Sequence, residues 1–213
     1  MKNIIIIGAG GVGKETAMLI EEINHVNPSW NLLGFVDDDS TLDGKTVNDY
    51  TVLGRVEVLN HFDQEIFVIC TISNPSIKKM VIQKIVNPKL KFANLIHPNA
   101  VISKDIEMGE DIIIQAGCVI TTNVKLGSHI QINPKCGIGH ESTIMDYCSL
   151  YWNVHVSGNV TIEEGCVLGT NATVIQGLRV GAYSILGASA NVIREVCPNS
   201  TMVGNPAKAI TQG

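Results

Sequence analysis

Two unlike parts are predicted from the sequence: a small doubly wound α/β domain over residues 1–96, then an all-β, three-sided parallel solenoid over residues 97–213 with a C-terminal tail. Three observations carry this. Aliphatic residues recur every six positions from Ile102 to Val192, strand and helix patterns alternate before residue 97, and the chain has 20 glycines but only 5% aromatics.

The α/β part opens with a buried strand, Lys2 to Ile7, running into Gly8-Ala9-Gly10-Gly11-Val12-Gly13. A helix is expected over Lys14 to Val26, a strand over Leu32 to Val36 and another over Glu65 to Thr71. A second helix follows over Ser76 to Val86, and a last strand over Lys91 to Ile96. Strands alternating with helices imply a parallel sheet covered by helices.

The solenoid rests on the register. Ile102, Met108, Ile114, Ile120, Leu126 and Ile132 begin a series that continues in sixes, without insertion, through Ile138, Ile144 and onward to Val192. Four residues after each of these comes a second inward series, which includes Ile112, Cys118, Cys136, Ser142, Cys148, Cys166 and Ala190. An α-helix would smear such a stripe around its cylinder, because its period of about 3.6 does not divide six. A triangular coil of about 18 residues per turn places one hexad on each side. The four cysteines of the second series then fill the prism as small apolar side chains.

Composition narrows the function. The chain carries 15 basic and 20 acidic residues, net −5, with no basic tract, which argues against nucleic acid as a partner. No apolar stretch approaches the ~20 residues of a membrane span, and the opening isoleucines are too short for a signal peptide. A cytoplasmic protein with reduced thiols at its six cysteines is expected.

Gly8, Gly10 and Gly13 satisfy a phosphate-cradling turn between strand and helix, where helix N-terminal amides face an anion. A nucleoside triphosphate loop would need Ser or Thr after Lys14, and Glu15 stands there. Asp37 closes the second strand, where an acid can take a ribose hydroxyl; a domain this short suits one nucleotide better than a dinucleotide. In the solenoid, His140 falls two residues after Ile138, at an outward position, with Gly158 one turn away and Glu141 beside it. An exposed imidazole next to a carboxylate suits a general base. His129, His140 and His155 do not share one face of the coil, so no metal site is expected.

Asn133 to Glu141, Gly158-Asn159-Val160-Thr161-Ile162 and Val203-Gly204-Asn205-Pro206-Ala207-Lys208 resemble the hexapeptide-repeat sugar O- and N-acetyltransferases, in the subgroup of sialic acid O-acetyltransferases and UDP-4-amino-sugar acetyltransferases. The likeness extends to Phe35-Val36-Asp37-Asp38 and Asn94-Leu95-Ile96-His97-Pro98. It implies a Rossmann-like nucleotide-sugar-binding domain joined to a left-handed parallel β-helix, assembled as a homotrimer. The implied reaction moves an acetyl group from acetyl-CoA to a nucleotide-linked amino- or deoxysugar, the 4-amino group first, in bacterial surface glycan synthesis. His140 would be the base and Glu141 its partner. Gly10, Gly11, Val12, Asp37, Asp38 and Ser73 would hold the nucleotide-sugar. Ser149, Thr170 and Ala188 would bond the pantetheine arm of acetyl-CoA through main-chain amides, and Lys208 would meet its phosphates. Relatives often carry Gly at the Ser73 position and a second His at the Ser149 position. Sialic acid or sugar O-acetylation, and a non-catalytic trimeric nucleotide-sugar-binding scaffold, are the alternative readings.

Overall fold

The computed structural model describes residues 1–210 and divides the chain into two compact units, one spanning Met1–Pro98 and one starting at Asn99. The first contains β1 (Lys2–Ile7), α1 (Gly11–Val26), β2 (Trp30–Val36), β3 (Thr46–Val47), β4 (Tyr50–Thr51), β5 (Ile66–Cys70), α2 (Pro75–Gln83), β6 (Leu90–Phe92) and β7 (Asn94–Ile96). β2, β1, β5 and β6 form a parallel sheet in that order. Ile4 to Ile7 are wholly buried, which explains why β1 reads as a continuous apolar run without alternation.

Element boundaries differ from expectation where glycine or a cap decides them. The first helix starts at Gly11, three residues before Lys14, because the glycine run itself takes the helical turn. A Cβ on Gly13 would lie 2.0 Å from the Gly8 carbonyl oxygen, so only glycine lets α1 come this close to the end of β1. The second helix starts at Pro75, one residue before Ser76, because Pro suits the first turn and Asn74 caps it by accepting the Ile77 amide at 3.0 Å. It stops at Gln83, short of Val86. The last expected strand divides at Ala93 into β6 and β7, and only β6 belongs to the parallel sheet.

The second unit is a β-solenoid. Strands two or three residues long recur from Val101–Ile102 to Asn191–Val192, and each pairs in parallel with a strand one turn away. Ile120 aligns with Ile138, and Ile138 with Val156, so one turn spans eighteen residues. The hexad aliphatics point inward: Ile114, Ile132, Leu150, Leu168 and Leu186 on one side are all fully buried. Two expected core positions depart from this. Met108 is exposed and Ile102 only half-buried, because they belong to the unit's first turn, which has a turn of its own kind on one side only. At the vertices the chain turns through the left-handed region: Asn123, His129, Lys135, Glu141, Tyr147 and Asn153 have φ of 56–64°. Such a conformation costs a non-glycine residue about 1 kcal/mol, and the ladder bonds on either side hold it in place.

Cys118, Cys136, Cys148 and Cys166 lie inside the prism and donate their thiols to main-chain carbonyls of Asn133, Tyr151, Glu163 and Gly181. Burial holds the Cys148 thiol far above its ordinary pKa. Among the described residues, no helix is long and apolar enough to cross a membrane.

Candidate functional site

Each unit presents one site. In the first, a cavity of about 200 Å³ opens at the carboxyl ends of β1 and β2, lined by Ile7, Gly8, Val36, Asp37, Asp38, Val56, Ile72, Ile77 and Val81. This is where ligands bind in an open parallel sheet. Beside it, α1 begins at Gly11 with Gly10 as its cap and no side chain closing its end. A Cβ on Gly10 or Gly11 would meet nothing within 4 Å, so the first-turn amides, including that of Val12, are open to an anion.

The two aspartates are committed to the frame. Asp37 accepts the Ala9 amide at 2.7 Å through one carboxylate oxygen and the Asp39 amide at 2.9 Å through the other, pinning the glycine turn to the end of β2. Asp38 accepts the Val56 amide at 3.2 Å and pairs with Lys84 Nζ at 2.6 Å, and Lys84 also reaches Glu57 at 3.3 Å. Burial raises the Asp38 pKa, but its bond to Lys84 and the Val56 amide outweigh this, and the carboxyl titrates below its ordinary range. The same bond to Asp38 lifts Lys84 above the ordinary lysine value. Ser73 stands one residue before the α2 cap and is not among the residues lining the cavity. Sequence reading missed Lys84, Glu57 and Thr71. Thr71 Oγ donates to the carbonyls of Ile7 and Gly8 at 2.8 and 3.1 Å and steadies the turn from the β5 side.

In the solenoid, His140 leaves the face formed by Val119–Ile120, Gly137–Ile138 and His155–Val156 at an outer turn. Its side chain is 62% exposed, and Nδ1 lies 3.3 Å from Glu141 Oε2. The ring lies over Gly158, where a Cβ would sit 2.6 Å from Cε1 and Nε2. Glu141 is held in its left-handed turn by donating its amide to the Thr122 carbonyl at 3.1 Å. A proton on Nδ1 directed at Glu141 leaves Nε2 with the free lone pair, the arrangement of a general base.

The residues expected at acetyl-CoA divide into two kinds. Thr170 and Ala188 sit one turn apart, joined by the Ser189 amide bonding the Thr170 carbonyl at 2.8 Å, and their own amides carry no hydrogen bond among the described residues. Ser149 differs: its amide is spent on the Cys166 carbonyl at 2.9 Å, and the residue is fully buried. The expected contact through the Ser149 amide is therefore corrected, since the ladder consumes it. Lys208 is exposed on a hairpin strand paired with Val203. Thr170 and Ala188 lie in turns entering the face that His140 leaves. One chain thus sets them at opposite edges of that face, separated by a groove of about 270 Å³ lined by Gly137 to Gly139 and His155 to Ser157.

Two other histidines are engaged elsewhere. His129 Nδ1 is 2.9 Å from Asp111 and stacks on Tyr147 at 4.7 Å, and His97 Nε2 is 3.0 Å from Glu22. A further depression, about 460 Å³ around Glu107, Lys125, Thr143 and Asp146, lies on another face and contains no expected site residue.

The family model of the PglD N-terminal domain matches residues 3–85. The UDP-N-acetylbacillosamine N-acetyltransferase of Bacillus subtilis is 32% identical over 117 residues, which cover 54% of this chain and 52% of that protein; the match spans about half its length. Among solved structures, a histidine variant of the perosamine N-acetyltransferase from Caulobacter crescentus, in complex with CoA and GDP-perosamine, superposes with a TM-score of 0.89 at 26% identity, covering 100% of this chain and 98% of that one. The chain is thus similar, in its first unit and along its whole length, to hexapeptide-repeat nucleotide-sugar acetyltransferases. The acetyltransferase domain of PglB from Neisseria gonorrhoeae, in complex with acetyl coenzyme A, matches at 0.88 and 26% identity over 98% of this chain and 99% of that one. WeeI from Acinetobacter baumannii matches at 0.89 and 26% over 99% and 100%. The first unit here is Rossmann-like and the second a β-solenoid, and these solved relatives are left-handed β-helix acetyltransferases.

Proposed function

We propose that this protein transfers the acetyl group of acetyl-CoA to the 4-amino group of a nucleotide-linked sugar, with His140 as general base. The observation that carries this is the His140–Glu141 pair, exposed at an outer turn with its ring over Gly158, in a chain similar along its whole length to CoA-bound sugar N-acetyltransferases.

In this reading the nucleotide lies in the cavity of the first unit, its diphosphate against the open amides of Gly11 and Val12 and its base among Val36, Val56 and Ile77. Asp37 and Asp38 are positioning residues: both hold the main chain that shapes the pocket. Glu141 orients the imidazole and stabilises the imidazolium. As the amine nitrogen bonds to the thioester carbonyl carbon, Nε2 of His140 takes the amine proton. The tetrahedral oxyanion then collapses, the carbon–sulfur bond breaks, and the proton passes to the departing CoA thiolate.

The pantetheine arm follows the free amides of Thr170 and Ala188. These lie at the opposite edge of the face from His140, so a second copy supplies the facing wall, and a homotrimer closes three such clefts. Thiol release from acetyl-CoA in the presence of UDP- and GDP-linked 4-amino-sugars tests the reading. Turnover that falls about 10²- to 10⁴-fold in His140→Ala supports it. A folded wild-type protein that binds a nucleotide-sugar but releases no thiol with any of them makes it a binding scaffold instead.

A further inference from the structure

The edge that carries Thr170 and Ala188 is a continuous column. Ala116, Pro134, Trp152, Thr170 and Ala188 occupy the same vertex in successive turns. The carbonyls of Ala116, Pro134, Trp152 and Thr170 accept the amides of Lys135, Asn153, Asn171 and Ser189 at 2.8–3.0 Å. Four of its members are small. Trp152 alone is large, and it is 45% exposed, so the chain's own packing leaves much of the indole uncovered. An indole offers a large, rigid apolar face against which a ligand arm can pack.

The column also has polarity. Lys208 stands across from Val203, which packs on Gly187 next to Ala188; a Cβ on Gly187 would fall 2.9 Å from Val203. The cationic end is therefore beyond Ala188. Successive turns are about 4.8 Å apart, so a linear arm with its phosphates at Lys208 passes Ala188, then Thr170, and meets Trp152 next. In coenzyme A the phosphates and the thioester are at opposite ends of the arm.

We infer that Trp152 is the stop at the end of the acyl-CoA channel: its indole packs against the thioester and acyl group and limits the acyl chain to a short one. This rests on the acyltransfer reading above and adds to it a specificity-determining residue that the sequence motifs did not mark.

Two measurements test it. In a Trp30→Phe background Trp152 is the single tryptophan, since the chain has two. Its fluorescence is expected to shift on saturation with acetyl-CoA and to stay unchanged with adenosine 3′,5′-bisphosphate, which has the phosphates but no arm. For turnover, Trp152→Ala is expected to raise the kcat/KM ratio of butyryl-CoA to acetyl-CoA roughly tenfold or more, and Trp152→Phe to keep the wild-type preference for acetyl. Identical spectra with the two ligands overturn the inference, even if Trp152→Ala does not fold, and so does a folded Trp152→Ala enzyme with an unchanged ratio. Wild-type protein with no acetyl-CoA turnover at all is a different result, and overturns the acyltransfer reading on which the inference stands.

Discussion

Gly13 and Gly158 are both glycines that a Cβ would disturb, yet they serve opposite purposes. In the α/β unit, a Cβ at Gly13 would strike main chain, the Gly8 carbonyl oxygen at 2.0 Å. In the solenoid, a Cβ at Gly158 would strike a side chain, the His140 ring at 2.6 Å. The first glycine builds the fold and the second makes room for the His140 ring. The contrast extends to the two units. The α/β unit presents open main-chain amides at the start of α1, and Asp37 pins the turn just before them by accepting the Ala9 amide. In the solenoid most strand amides are tied into the ladder, so what it presents outward is side chains projecting from the vertices and the few vertex amides left over.

The largest effect that sharpens this comparison is His140→Ala, expected to lower turnover about 10²- to 10⁴-fold while leaving the thermal midpoint unchanged. An equal loss of stability would mean that His140 belongs to the frame. Gly13→Ala should do the reverse, destabilising the protein by about 1–3 kcal/mol or more in urea titrations, because rigid backbone must move. Gly158→Ala tests the other glycine: it should displace the imidazole and cut turnover about tenfold, with a stability change within about 0.5 kcal/mol. If Gly158→Ala unfolds the protein instead, the distinction between the two glycines is lost.

A smaller effect concerns Asp38. Its folded pKa is depressed, so its contribution is present above the unfolded carboxylate pKa and vanishes as pH falls through the folded value. Asp38→Asn should therefore be less stable than wild type at neutral pH, and the gap should close in acid below the ordinary carboxylate range. A gap independent of pH would show that the Lys84 pair contributes nothing. The smallest effect is chemical: a thiol reagent should modify exposed Cys197 quickly and leave Cys118, Cys136, Cys148 and Cys166 untouched until the protein unfolds.

The solenoid is legible because a six-residue period has one compact solution, and that register by itself sets His140 on the outer wall. The glycine turn was legible as a phosphate cradle for a similar local reason. Less visible was which polar groups remain available. Asp37 reads as a ribose ligand and Ser149 as a coenzyme contact, but both are taken up by long-range main-chain partners, Ala9 and Cys166, that no local pattern announces. Trp152 carries no periodic signal, being one large residue in a turn; only the fold stacks it between smaller residues in the neighbouring turns.

Periodicity and local turn chemistry were thus enough to determine the two architectures, the inward and outward sense of each hexad, and the pairing of His140 with Glu141. Tertiary structure alone decided where α1 begins, which amides stay open, and that His140 and the Thr170–Ala188 column stand at different edges of the prism. The physical reason is one of range. A hexad or a glycine run acts through neighbours in sequence, whereas a hydrogen-bond partner is chosen by whatever the fold brings within three ångströms from about eighteen or more residues away.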